Sequence, residues 1–360
     1  MSRTPARETR AVPETPPYWA PERHADRRRR LLARAKTLAS LRTWFDAQGF
    51  IEVEPATLQV SPGNETHLHG FATELVATDG ARHQAYLHTS PEFAMKKLLA
   101  AGEERIFAFA PVYRNRERGA LHAPEFTMIE WYRVGAPYTA LWEDCAEMLA
   151  IAARLTERAH WTFRSGEATI DGGFDKLTLD EAFRAYAGFS LIDTCANGIG
   201  DRAALAQRAA AAGIRTADDD TWSDLFSRVL VEKIEPRLGS PRPIVLYEYP
   251  APEAALARPV PGRPEVSERF EMYVAGVELA NGFGELGDAS EQRRRLVHEM
   301  DEKARLYGER YPIDEDFLAA LAHMPPSAGC ALGFERLVML ATGATNVNQV
   351  IWTPLPDGSK

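Results

Sequence analysis

Cysteine is scarce. The 360 residues hold three, Cys145, Cys195 and Cys330, odd in number, widely spaced and without a Cys-x-x-Cys pair. That excludes a disulfide framework and a cysteine zinc site, and fits reduced thiols. Long apolar runs are missing too: no stretch approaches a membrane span, and the first residues lack the apolar core of a secretory signal. The expectation is a cytoplasmic protein without a membrane partner. No internal repeat is visible. Positive charge is in deficit, with a net charge of -9. The first 36 residues carry ten Lys/Arg against four Asp/Glu, which leaves -15 on residues 37–360. So acidic a body argues against generic nucleic-acid binding, where affinity comes largely from phosphate neutralisation.

With 45% hydrophobic and 26% charged residues, the chain has enough apolar material for a large core, in one domain or two. The basic start, with Pro5, Pro13, Pro16, Pro17 and Pro21, reads as a poorly ordered tail over 1–26, a solvated extension rather than a docking arm. From residue 27 onward a single domain is expected. Leu31, Ala35, Leu38, Leu41 and Phe45 recur at helical spacing, and Gly49 ends the pattern. A second amphipathic helix over 141–155 puts Leu141, Cys145, Met148, Leu149, Ala152 and Leu155 on the face that packs against a sheet. About 157–264 reads as an insertion, with short helices at 179–186, 203–212 and 222–234 and a strand at 244–249. Asp288-Ala-Ser-Glu291 has capping-box spacing and opens a charged helix to about 309, while 333–341 reads as a helix closed by Gly343.

Two blocks carry the chemistry. Tyr113-Arg-Asn-Arg-Glu-Arg-Gly119 runs into Pro124-Glu-Phe-Thr-Met-Ile-Glu-Trp-Tyr-Arg133, and Gly329-Cys-Ala-Leu-Gly-Phe-Glu-Arg-Leu-Val-Met-Leu340 lies near the end. They resemble motifs 2 and 3 of a class II aminoacyl-tRNA synthetase. Activating a carboxylate with ATP needs fixed positive charge on the α-phosphate, and a guanidinium is always charged and forked to fit phosphate oxygens. Gly49-Phe-Ile-Glu-Val-Glu-Pro55, His88-Thr-Ser-Pro-Glu-Phe-Ala-Met-Lys-Lys-Leu98 and Phe270-Glu-Met-Tyr-Val-Ala-Gly-Val-Glu-Leu-Ala-Asn-Gly-Phe-Gly-Glu-Leu286 extend the likeness. From about residue 30 onward the chain resembles a lysyl-tRNA synthetase catalytic domain.

The resemblance implies an α+β fold, an antiparallel sheet flanked by helices, and a homodimer formed through the motif 1 helix and its following strand. The anticodon-gripping OB-fold of such enzymes needs on the order of 100 residues. Too few precede the first helix to hold one. The chain is therefore most similar to the stand-alone paralogues that attach lysine, preferably (R)-β-lysine, to a lysine side chain of elongation factor P, and tRNA charging is not expected. Two alternatives stay open: a truncated enzyme with another acceptor, and a non-catalytic paralogue that binds lysine or adenylate.

By the same resemblance Arg114 and Arg336 are the catalytic residues. ATP would be held by both, with Asn115, Arg116, His122, Phe126, Glu278, Leu279 and Gly333. Alternation along an extended segment puts Phe126, Met128, Glu130 and Tyr132 on one face. The amino acid would meet Ser90, Glu92, Glu130, Tyr132, Asn281, Phe283, Glu285 and Ala331, with Glu92 and Glu285 as partners of its two amines, since a buried ammonium must be paired. If Ala275-Gly276 is a two-residue hairpin turn, Tyr273 pairs with Glu278, and Glu271 and Glu278 become diagonal neighbours on one face. Magnesium on the ATP phosphates would relieve their repulsion. Three positions depart from the lysyl pattern: Arg116 where a glutamate is usual, with Glu117 one place late; Ala123 where asparagine follows the loop histidine; and Ala331 in place of glycine on the pocket wall. His67-x-His69 has metal-ligand spacing but no third ligand nearby, and is read as non-metal.

Overall fold

The computed structural model describes residues 16–356 apart from 197 and 255, so most of the tail expected over 1–26 lies outside the described residues. Its end does not behave as a tail. Pro21, at the first helical position where its missing N–H costs nothing, opens α1 (Pro21–Ala47). Leu31, Thr37, Leu41 and Phe45 are its buried face, with Phe45 stacked on Phe107 at 4.3 Å, whereas Ala35 stays exposed.

Along the chain follow β1 (Ile51–Glu52), α2 (Glu92–Ala100), β2 (Arg105–Tyr113), β3 (Glu125–Val134), α3 (Ala140–Thr156), β4 (Asp175–Thr178), α4 (Leu179–Tyr186), α5 (Arg202–Ala211) and α6 (Trp222–Val229). Then come β5 (Ile244–Pro250), β6 (Arg263–Val274), β7 (Val277–Gly284), α7 (Ala289–Tyr307), α8 (Glu315–Leu321), β8 (Ser327–Gly333) and α9 (Phe334–Thr342). The strands form one sheet in the order β1-β2-β3-β8-β7-β6-β5-β4. Its centre is antiparallel, as expected, but β1 with β2 and β5 with β4 pair parallel, so the sheet is mixed.

Helices α1, α3 and α9 cover one face of the sheet and enclose the main apolar core. On α3 the expected apolar face is buried except for Leu155, which is 36% exposed. Residues 157–264 are less separate than an insertion implies. They contribute β4 and β5 to the sheet, and α4, α5 and α6 close a second core around Phe183, Leu225 and Ile234. The helix expected over 222–234 is α-helical to Val229 and then widens to a π-helical turn over Leu230–Ile234. Asp288 caps α7 by accepting from the Ser290 and Glu291 amides, but Glu291 turns to Arg294 and Arg295 instead of closing a capping box.

The β6–β7 hairpin positions the site. Ala275 and Gly276 both have positive φ, 51° and 76°, the backbone of a two-residue turn whose twist suits a hairpin. Val274 faces Val277 and Tyr273 faces Glu278, as the sequence suggests. The register then shifts: Met272 faces Ala280, so Leu279 is an extra residue in β7. That bulge decides which side chains share a face. In an uninterrupted strand Glu278 and Asn281 would point to opposite sides. With the bulge, Glu278, Asn281 and Phe283 all turn the same way as Glu271.

Candidate active site

The sheet face not covered by α1, α3 and α9 carries a cavity of about 320 Å³. Strands β3, β6, β7 and β8 supply its floor, and α2, the 114–123 loop and the start of α9 its rim. Phe126, Met128, Glu130 and Tyr132 line it, while Ile129 and Trp131 go into the core behind. The alternation on β3 holds because the outward face is itself engaged: Trp131 and Arg133 both donate to Asp144 of α3, at 2.7–3.0 Å.

One part of the cavity is built for anions. Arg336, on the first turn of α9, donates to the Glu278 carbonyl at 2.8 Å, the Leu121 carbonyl at 3.2 Å and His122 Nε2 at 2.9 Å. Burial and the adjacent guanidinium lower the His122 pKa, so the ring is a neutral acceptor that holds Arg336 in place. Arg114 donates to the Thr89 carbonyl at 3.3 Å, and its guanidinium lies 5.4 Å from the Phe126 ring centroid. Glu335 fixes α9 against β3 by accepting the Thr127 amide at 2.9 Å and pairing with Arg34 of α1 at 2.8 Å.

Another part is built for cations. Glu130 is 2% exposed and accepts from Ser90 at 2.8 Å and Tyr132 at 2.6 Å. Burial, reinforced by the charge of Glu92, pushes its pKa up to about 8. Glu285 is pushed to about 7 by burial, against the pull of Lys96. Lys96 is the residue that sequence reasoning missed. Its Nζ lies 2.5 Å from an oxygen of Glu92 and 2.5 Å from one of Glu285, fully buried. Burial alone would lower its pKa, but the two carboxylates outweigh that and hold it as an ammonium. A neutral ligand would therefore not leave Glu92 and Glu285 without a cation, because Lys96 serves both. Three carboxyl groups against one lysine leave room for further cations, since Glu130 and Glu285 carry their full negative charge only when an added ammonium pairs with them. Asn281 Oδ1 adds a buried acceptor with no hydrogen-bond partner among the described residues.

Of the expected site residues, Ser90, Glu92, Arg114, His122, Phe126, Glu130, Tyr132, Glu271, Glu278, Leu279, Asn281, Phe283, Glu285, Ala331, Gly333 and Arg336 all line this cavity. Asn115 and Arg116 do not. Arg116 has φ 65°, and this left-handed turn sends its side chain out to Glu309 at 2.5 Å while Glu117 faces the cavity. Asn115 is exposed and accepts the Arg116 amide. The glutamate that seemed one place late is thus brought in by backbone geometry. Glu271 also differs from expectation: Arg269 at 2.8 Å and Tyr273 at 2.7 Å already engage it, so the charge relief assigned to magnesium comes partly from Arg269. His67 and His69 bond separately to Tyr307 and Glu309.

The raised carboxyl groups predict a pH dependence. Between the ordinary carboxylate range and about pH 8, folded protein holds protons on Glu130 and Glu285 that the unfolded chain has released. Stability of the ligand-free protein should fall as pH rises through that window and level off above it. A ligand with two ammonium groups pairs the ionised carboxylates, so the increase in Tm that it confers should grow from pH 5.5 to 8.5. A thermal-shift series checks this. A lysine-induced shift that shrinks over that range would contradict it.

A class of protein is defined by this sheet with an arginine on the strand-loop edge and another on the helix after the last strand. Residues 17–356 match the class II tRNA synthetases (D, K and N), and the chain belongs to that family. Its relatives include proteins named elongation factor P–(R)-β-lysine ligase. The one from Haemophilus influenzae (strain PittGG) is 36% identical over 337 residues, 93% of this chain and 96% of the relative. Those from Vibrio cholerae and Histophilus somni (strain 2336) are 36% and 37% identical over 91% and 89% of this chain and 95% and 93% of their own lengths.

Proposed function

We propose that the chain is an ATP-dependent ligase that activates (R)-β-lysine or L-lysine as an aminoacyl adenylate and transfers it to a lysine side chain of elongation factor P. The observation that carries the reading is the pairing, in one cavity, of the Arg114/Arg336 anion site with the buried Glu92, Glu130 and Glu285 group. The substrate carboxylate attacks the α-phosphorus of ATP and pyrophosphate leaves. Arg114 and Arg336 bear the negative charge that builds on the phosphoryl oxygens, and Phe126 stacks on adenine. The acceptor amine then displaces AMP from the mixed anhydride, which needs no side-chain nucleophile.

Magnesium suits Glu271 and Glu278, which share a face beside Arg336. Among the described residues no group of three or more His, Cys, Asp or Glu side chains forms a metal cage, so the ion would depend on phosphate oxygens for its remaining ligands. Bound there, it neutralises phosphate charge. Glu278→Gln should accordingly raise the magnesium concentration needed for half-maximal activity, and an unchanged magnesium titration would remove the pair from the metal site.

Ala331 lies in register with Glu130 on one neighbouring strand and Asn281 on the other. Its methyl shares their face in the amino-acid pocket, where a glycine would leave room. Ala331→Gly should shift the ratio of kcat/KM from β-lysine toward α-lysine by about tenfold to a hundredfold, the worth of one methyl in a close-fitting pocket. An unchanged ratio would remove Ala331 from the choice.

The wider reading includes a cytoplasmic homodimer that does not charge tRNA. In the described residues no helix is long and apolar enough to cross a membrane. Pyrophosphate exchange with a panel of amino acids tests the whole: diamino acids should support exchange and norleucine, which lacks the second amine, should not. Equal exchange with norleucine would overturn it.

A further inference from the structure

A second hollow, about 800 Å³ and more than twice the reaction cavity, opens beside it. The two share Glu65, Leu68, Ser90, Glu92, Leu256 and Arg269, so the hollow joins the cavity next to the carboxylates that meet the amino acid, away from Arg336 and His122. It runs between the 59–68 segment, the start of α6, residues 251–253 and the 291–302 part of α7. Its walls carry seven Asp/Glu residues against three arginines. Each of the three is already paired, Arg269 with Glu271, and Arg294 and Arg295 with Glu291, while of the acids Glu92 pairs with Lys96 and Glu302 with Arg305. The rim also holds Ile199, 73% exposed, on the short strand Ile199–Gly200.

We infer that this groove is the route by which the acceptor protein delivers its lysine, occupied by a basic, lysine-bearing loop whose side chain passes Glu65 to reach the adenylate carbonyl. The inference rests on the ligase reading above and adds the acceptor surface to it. The groove enters on the amino-acid side, away from Arg336 and His122, so it gives the acceptor amine a path that does not cross the anion site ATP would fill. Its charge favours a cationic segment and repels the polyanionic end of a nucleic acid. An exposed isoleucine at the rim gives a protein loop an apolar contact.

Glu65 stands at the junction and has no ion-pair partner among the described residues. It meets the incoming ammonium and accepts one proton, which leaves the amine lone pair free. The nitrogen attacks the acyl carbon, the amide C–N bond forms, and the C–O bond to AMP breaks with its electron pair leaving on the phosphate. The second proton departs with AMP or to water.

The test puts positive charge on the groove wall without touching the reaction cavity. Ser227 is exposed on α6 and Glu302 half-buried on α7, and both line only the groove. In a Ser227→Lys/Glu302→Lys variant, lysine-dependent pyrophosphate exchange should stay within twofold of the parent, while the KM for elongation factor P rises at least tenfold. Ile199→Ser should raise that KM as well, with exchange unchanged. An acceptor KM unaffected by both variants overturns the groove assignment, as does a gain of tRNA charging in the double variant with elongation factor P transfer unchanged. Should the double variant fold poorly in circular dichroism, Ile199→Ser decides alone. Absence of lysine-dependent exchange in the parent enzyme would instead sink the ligase reading and is read separately.

Discussion

Arg336→Ala is expected to cut lysine-dependent pyrophosphate exchange by about two to three orders of magnitude, the usual cost of removing one preorganised donor from a developing oxyanion. The residue is fixed before substrate arrives, by the Glu278 and Leu121 carbonyls and by His122, so its charge needs no reorganisation at the moment of reaction. The loss should fall on kcat more than on KM, because the interaction strengthens as charge builds on the phosphoryl oxygens. The fold should survive. Arg336 holds no core position, and α9 is anchored by Phe334, Leu337 and Leu340. Near-normal exchange in a folded variant would remove Arg336 from the site.

Glu285→Gln is the second large effect. It keeps the shape of a fully buried side chain and removes its charge, so Lys96 retains Glu92 alone and the substrate loses one carboxylate. Truncating one side of a buried charge pair costs about 2–5 kcal/mol, which corresponds to a KM for lysine raised by tens to thousands of fold. The affinity for ATP should change little, since Arg114, Phe126 and Arg336 do not touch this cluster. Parallel titrations of lysine and ATP separate the two. Equal loss of both would mean that Glu285 supports the fold and not the substrate.

Much of this site was legible in the sequence because its parts are local. The alternation from Phe126 to Tyr132, the Ala275-Gly276 turn and the two arginines in their blocks each follow from a few adjacent residues. What was not legible depends on geometry between segments. The bulge at Leu279, which turns Asn281 and Phe283 to the same side as Glu278, leaves no mark in a single strand. Arg116 takes a left-handed backbone that glycine or asparagine would have advertised, and so was placed on the ATP instead of Glu309. Lys96 did leave a signal: it stands four residues after Glu92, the helical spacing at which opposite charges meet. Only the fold could bring Glu285 to its other side.

The helix start shows the same division. Prolines and arginines before residue 27 read as a tail by composition, yet Pro21 begins α1, and Arg27 is buried and donates to the Ile351 carbonyl. Composition carries no information about a partner more than 300 residues away. The insertion behaves likewise, since its strand at Ile244–Pro250 pairs with β6 through contacts that no local pattern encodes.

The central claim is that one cavity activates a diamino acid and passes it to a protein lysine. Its most direct test is the intact mass of elongation factor P after incubation with the enzyme, ATP, magnesium and either β-lysine or L-lysine, with tRNA(Lys) as a parallel acceptor. Elongation factor P should gain one lysyl unit, dependent on ATP, with negligible charging of the tRNA. An unmodified elongation factor P beside efficiently charged tRNA would contradict it.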